Sequence, residues 1–148
     1  MQKTASSSAD LSFGRIVVGT LAGEADVQRY LAGFCRRHQI RGGLFSLTGT
    51  TRSAIFGTYD PDQQVYATRR ETGALQIVHC AGTILPEADR TAVAGHILLC
   101  NEKGVLTGGR LFSDTPVDAG EFEIRELLGA LPERVFDRDA ARFGLRFA

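Results

Sequence analysis

An α+β fold is predicted, a mixed but mainly antiparallel β-sheet packed with one main amphipathic helix, and three observations predict it. Val27, Tyr30, Leu31, Phe34 and Cys35 recur at helical spacing within Gly23 to Gln39, matching one face of a 3.6-residue period. After that segment, short runs rich in β-branched and aromatic residues follow at nearly regular intervals between turn signals, the pattern of antiparallel sheet. The chain has 148 residues, a length at which one hydrophobic core is the rule.

Taken in order, residues 1–12 include Ala5-Ser-Ser-Ser-Ala-Asp10, small and polar with little to bury, and read as a loose leader before a single domain over 13–148. A first strand is placed at Phe13 to Thr20, where Ile16, Val17 and Val18 precede Gly19. The helix follows. Glu24 and Asp26 near its start and Arg36, Arg37 and His38 near its end complement the helix dipole, and Gly42-Gly43 stops it. Strands are then expected at Leu44 to Gly49, Ser53 to Tyr59, Gln64 to Arg70, Ala74 to Leu85, Ala92 to Cys100 and Val105 to Phe112. Asp60-Pro61-Asp62-Gln63 and Asn101-Glu102-Lys103-Gly104 have hairpin-turn chemistry, so the strands flanking each should pair. Glu121 to Leu131 fits both periods, with Phe122, Ile124, Glu126 and Leu128 alternating and Ile124, Leu127, Leu128 and Leu131 in a helical stripe. Phe143, Leu145 and Phe147 alternate with Gly144 and Arg146, predicting a closing strand whose apolar side faces the core.

Composition excludes several function classes. Hydrophobic residues make up 43%, and 17 Lys+Arg balance 17 Asp+Glu, which argues against a disordered chain and against a strongly basic nucleic-acid binder. There is no apolar run of the roughly 20 residues that span a bilayer, and only Lys3 is charged near the start, so neither a membrane nor an export signal is expected. Cys35, Cys80 and Cys100 leave one thiol over in any pairing and form no CxxC, which points to a reducing cytoplasm.

His38, His79 and His96 are the only imidazoles, and no HExxH, Walker, GxSxG or GxGxxG motif occurs. His96, Leu98 and Cys100 share one strand face, but residues four apart on a strand are ~13 Å apart, too far for a Cys/His dyad. Gly42-Gly43 and Gly108-Gly109 offer bare backbone, for which turn geometry and close strand packing account better than a phosphate cradle. Arg36, Arg37 and Arg41 read as a solvated helix end, and Arg69-Arg70 as a solvated strand end. No catalytic residue is assigned.

The segment Ser46-Leu-Thr-Gly-Thr-Thr-Arg-Ser-Ala-Ile-Phe-Gly-Thr-Tyr-Asp60 resembles the signature of the PPC (plants and prokaryotes conserved) domain family, with Ser46, Gly49, Gly57, Tyr59 and Asp60 at its motif positions. Ile40-Arg-Gly-Gly43 resembles the turn before it. Glu71-Thr-Gly-Ala-Leu-Gln-Ile77 resembles a later motif, with Gln76 for the usual glutamate, and Gly82, the Gly108-Gly109 pair and Glu123 match further family positions. The resemblance favours a strand around Glu123, and Glu133-Arg134 with Asp137 are similar to the closing motif. Nearly everything after Phe13 is covered.

The resemblance implies a homotrimer, with itself as partner, a further protein partner open, and a link to DNA by family association alone. The AT-hook that contacts DNA in plant members is missing from this sequence, where Gly14-Arg15 is the nearest fragment. Many prokaryotic members hold a divalent metal with three histidines, and the corresponding positions here are Ala94, His96 and Arg110. Alanine has no donor and arginine stays cationic, so neither metal nor cofactor is expected. The fold also resembles that of acetolactate decarboxylase and a zinc-dependent ester hydrolase, an analogy that loses its chemical basis without the metal. Two readings follow: an assembly or regulatory module, and a metal-free anion or small-molecule binder at His96 and Arg110.

Overall fold

Asp26 opens the one helix among the described residues: its side chain accepts a hydrogen bond from the Arg29 N–H at 3.0 Å, and α1 runs Val27–Arg37 in a computed structural model that describes residues 6–148. The helix is therefore shorter than the predicted Gly23 to Gln39. Gly23 and Glu24 both take positive φ at the end of β1, Ser12–Asp26, and cannot enter a helix in that conformation. The predicted stripe is the inward face. Val27, Leu31 and Cys35 are fully buried, while Tyr30 and Phe34 lie edge-on to Phe122 with centroids 5.8 and 5.4 Å away. Each fully buried aliphatic side chain contributes roughly 1.5–3 kcal/mol.

The remaining strands are β2 Gly43–Asp60, β3 Val65–Glu87, β4 Arg90–Cys100, β5 Leu106–Leu111, β6 Pro116–Leu128, β7 Glu133–Asp137 and β8 Arg142–Arg146. Six form one sheet in the order β1-β6-β2-β3-β4-β5. Every pairing among the described residues is antiparallel, so the mixed sheet does not occur. Leu44 to Gly49 and Ser53 to Tyr59 are one strand rather than two, and so are Gln64 to Arg70 and Ala74 to Leu85. The sequence signals between them are register shifts, at Leu47/Gly49 and Thr51/Ser53, which bend a long strand without ending it. Arg69 and Arg70 consequently sit within β3, paired with Phe56 and Ile55, rather than at a strand end.

That bending lets β2 meet β5 at Phe56–Leu111 and Gly57–Arg110, so β2, β3, β4 and β5 close into a small barrel. Closure brings backbones together. A Cβ at Gly82 would strike the Ala94 carbonyl, one at Gly108 the Ile97 carbonyl, and one at Gly109 would lie 2.5 Å from the Gly57 oxygen. The Gly108-Gly109 pair is thus a packing device, as its sequence position indicated. Leu21, Phe45, Leu47, Ile77, Ile84, Leu99 and Ile124 fill the core under α1.

Both predicted hairpins form. Asp60 Oδ1 accepts from the N–H groups of Asp62 and Gln63, Asn101 Oδ1 from those of Lys103 and Val105, and Gly104 takes φ 77°. Glu121 to Leu128 is strand, because β6 is hydrogen-bonded on both sides, to β1 and β2, and tertiary pairing settles what periodicity leaves open.

The C-terminal strand does not join the main sheet or face the core. β7 and β8 make a separate two-stranded sheet, and Phe143 and Leu145 are each 41% exposed instead of facing the core. A hairpin of five-residue strands buries its apolar side mainly on itself, with Phe136 and Phe143 edge to face at 5.3 Å. The hairpin is docked to the barrel through Arg134 Nη2 on Thr83 Oγ1, Tyr59 Oη on the Ala140 carbonyl and Gln64 Nε2 on the Asp139 carbonyl. No described helix is long and apolar enough to cross a membrane. The predicted leader lies partly outside the described residues, and regular structure begins at Ser12.

Candidate anion-binding cleft

One cross-strand row organises the outer face of the sheet. Val18 pairs with Glu123, Glu123 with Ser46, Ser46 with Ala81, Ala81 with His96, and His96 with Arg110. Directly opposed residues point to the same side, so β4 and β5 present His96 and Arg110 together, with Ala94 two residues along β4 on that same face. The topology therefore assembles the three positions that the family resemblance makes a metal site. Their chemistry does not fit a divalent ion: a methyl group, one imidazole and a permanent cation supply a single donor. Among the described residues no group of three His, Cys, Asp or Glu side chains is placed to hold one.

Arg110 instead lines a cleft of about 330 Å³ at the end of the barrel where α1, the start of β4 and the β7–β8 hairpin meet. Its guanidinium lies over the Tyr66 ring, 5.4 Å from the centroid, and Tyr66 packs edge-on against Phe112. Arg134 enters the same cleft from β7. Its Nη2 donates to Thr83 at 2.9 Å, while its Nε is buried with no hydrogen-bond partner among the described residues. Burial first, and then the neighbouring Arg110 charge, holds the Arg134 pKa below the usual arginine value, against an opposing pull from Glu87.

Neither guanidinium pairs with a carboxylate among the described residues. The two acids that line the cleft are otherwise engaged. Asp26 accepts from the Arg29 and Thr115 N–H groups, and Glu87 is ion-paired with Arg90. Gln28 is also held, donating to the Val93 carbonyl and accepting from Ser113. Two half-buried cations thus share a concavity in which an unmade hydrogen bond leaves a donor desolvated at a cost of about 1–3 kcal/mol.

His96 is exposed and does not line this cleft, although it is the register partner of Arg110. Sequence reasoning missed Arg134 as a site residue. It lies inside the Glu133-Arg134 motif, but nothing in a linear pattern places it beside Arg110. The other motif positions lie outside this cleft. Gly57, Gly82, Gly108 and Gly109 permit close strand contact; Gly49 faces the Ala119 carbonyl; Asp60 makes a turn; Tyr59 holds the hairpin; Glu71 pairs with Ala54 in register; and Ser46 pairs with Glu123. Cys100 donates to the Asn101 carbonyl and makes no dyad with His96. Burial pushes the Cys80 thiol up to about 12 and Cys35 to about 11, which makes both inert.

A closed antiparallel barrel with one helix and a docked C-terminal hairpin is a fold class shared with solved structures. The chain aligns with the metal-containing protein AF0104 of Archaeoglobus fulgidus at 28% identity and TM-score 0.86, covering 93% of this chain and 96% of that one. A plant- and prokaryote-conserved protein of Pyrococcus horikoshii aligns at 20% identity and TM-score 0.87, over 95% and 98%. A proposed DNA-binding protein of Bacteroides thetaiotaomicron aligns at 17% identity and TM-score 0.81, over 93% and 97%. The sequence profile of the Plants and Prokaryotes Conserved (PCC) domain matches residues 9–128, and the chain belongs to that family. No curated protein matches it. The matched span includes Arg110 but stops before Arg134.

Proposed function

We propose that this PCC-domain protein binds a small anion, a carboxylate or a phosphate, in the cleft formed by Arg110 and Arg134. The observation that carries the proposal is the pair of half-buried guanidiniums with no carboxylate partner and one unsatisfied buried N–H. A bound anion supplies the acceptors that the fold withholds, and charge-assisted hydrogen bonds from guanidinium forks are the strong kind. The charge-assisted donors of the cleft support a binding role.

The test is thermal unfolding with added inorganic phosphate or succinate. A ligand present at 100 times its Kd stabilises by about 2.7 kcal/mol, a rise in Tm of roughly 5–10 °C for a domain of this size. Arg110→Gln and Arg134→Gln should abolish that rise. No shift with either anion in the unmodified protein would remove this reading.

A second proposal concerns assembly, as a homo-oligomer and specifically a trimer. Supporting it, Ile16 and Val18 on the edge strand β1 are 66% and 76% exposed, and Leu44, Val78 and Leu98 are exposed on neighbouring strands. An unpartnered strand edge bordered by apolar side chains is a ready route to self-association. Light scattering should give a mass three times that of the chain, and Val18→Asp should lower it; a monomer at micromolar concentration would sink the idea. Some relatives are described as proposed DNA-binding proteins. For this neutral chain, direct binding to duplex DNA is the rival reading, and it requires affinity that falls steeply with salt.

A further inference from the structure

We infer that the group the cleft selects is a dianionic phosphoryl head, the terminal phosphate of a small phosphate monoester, in preference to a phosphodiester or a carboxylate. This deepens the anion reading above and rests on it.

Charge comes first. Four arginines, Arg29, Arg90, Arg110 and Arg134, line the cleft against two carboxylates, Asp26 and Glu87, leaving two positive charges. A dianion neutralises that excess, whereas a phosphodiester or a monocarboxylate leaves a half-buried guanidinium uncompensated, the less favourable arrangement. Geometry is the second argument. Arg29 projects from α1, Arg110 from β5 and Arg134 from β7, so the donors approach from three separate elements. A phosphoryl group presents three strong acceptor oxygens, which suits donors on three sides; a planar carboxylate presents two, which suits a single fork.

Size is the third. The cleft, at about 330 Å³, falls in the range of small-molecule sites and greatly exceeds one anion. Ala32, Ala92, Ala94 and Phe143 also line the cleft. These side chains offer an apolar wall to an organic moiety carrying the phosphate. Phe143 belongs to the same hairpin as Arg134, so the segment that brings this half-buried cation also brings the aromatic ring.

Isothermal titration in a chloride buffer at pH 7.5 tests the inference with three probes: glycerol 3-phosphate, dimethyl phosphate and succinate. Glycerol 3-phosphate should bind at least tenfold more tightly than either other probe. Arg110→Gln and Arg134→Gln should each weaken it tenfold or more while their thermal unfolding still shows a folded protein. Arg110→Lys, which keeps the charge and loses the fork, should recover part of the affinity and serves if a glutamine variant fails to fold.

The second phosphate ionisation lies near pH 6, so affinity should fall several-fold from pH 7.5 to 5.5. The groups facing the ligand are Arg29 and Asp26 at the start of α1, Glu87 and Arg90 at the β3–β4 turn, Arg110 and Arg134. The pH series is run on His96→Asn, because a protonated imidazole beside Arg110 would push the other way. Equal affinity for glycerol 3-phosphate and dimethyl phosphate would overturn the dianion inference and leave the anion reading intact. Tighter binding of succinate would overturn the phosphoryl assignment alone. Binding of none of the three would overturn both.

Discussion

Two arginine sites in this molecule have opposite surroundings. On the side where β1 meets β6, Arg15 is fully matched: Nε and Nη2 donate to the two oxygens of Glu126 at 3.0 and 2.9 Å, Nη2 also reaches the His38 carbonyl, and the Arg15 N–H donates to the same carboxylate. At the other site, Arg110 stacks on Tyr66 and Arg134 touches Thr83, with no carboxylate for either among the described residues. The first arrangement ties the edge strand to its neighbour and the end of the helix, and every donor it uses has an acceptor. The second keeps cations poised at a concave surface. An arginine that the fold satisfies is structural, and a desolvated one without its anion marks a place where something else completes the set.

Removing the acid of the matched site should have the largest effect. Glu126, only 7% exposed, accepts three hydrogen bonds from Arg15, so Glu126→Ala should cost about 2 kcal/mol by urea unfolding. A cost under about 0.5 kcal/mol would erase the distinction between the sites. Acid should do the same more gradually. The side-chain and backbone hydrogen bonds from Arg15 hold the Glu126 carboxyl below the usual carboxylate range. Because its native pKa is depressed, the contribution is fully present above the unfolded value near pH 4.3 and is lost as pH falls through the native one. Urea midpoints from pH 7 to 3 should therefore drop more for the unmodified protein than for Glu126→Gln; parallel curves would contradict the assignment.

Installing an acid in the unmatched site should turn it into the other kind. Ala94 lines the cleft and is the register partner of Thr83, the residue Arg134 touches. Ala94→Asp should stabilise the fold by up to about 1 kcal/mol and abolish phosphate binding, measured by unfolding and titration. Lost stability with retained binding would show that the carboxylate does not reach the arginines. Smallest of all, Arg134→Gln should alter stability by less than about 0.5 kcal/mol, since it removes a desolvated charge along with one hydrogen bond. A loss above about 2 kcal/mol would make Arg134 a structural residue.

The elements were legible wherever a local rule operates. The helix stripe at Val27, Leu31 and Cys35, the two Asp/Asn hairpin turns and the glycines of the closed sheet all occupy the places their residue types indicated. The misreadings have a common source. The two long strands read as four short ones in sequence because Gly49 and Gly73 carry the same chemistry in a bend as in a turn. The alternation at Phe143 and Leu145 was sound as strand, yet it could not say which layer the strand joins.

The candidate site divides along the same line. That Arg110 stands where other family members have a metal ligand is what the family resemblance implies, and its place opposite His96 follows from hairpin register, a local property. Its pairing with Arg134 does not, because the two are brought together only after β2 closes on β5 and the C-terminal hairpin docks through Tyr59 and Thr83. Residue chemistry and short-range spacing set what each segment becomes. Which charges end up sharing one cleft depends on contacts between distant segments, and those exist only once the chain is folded.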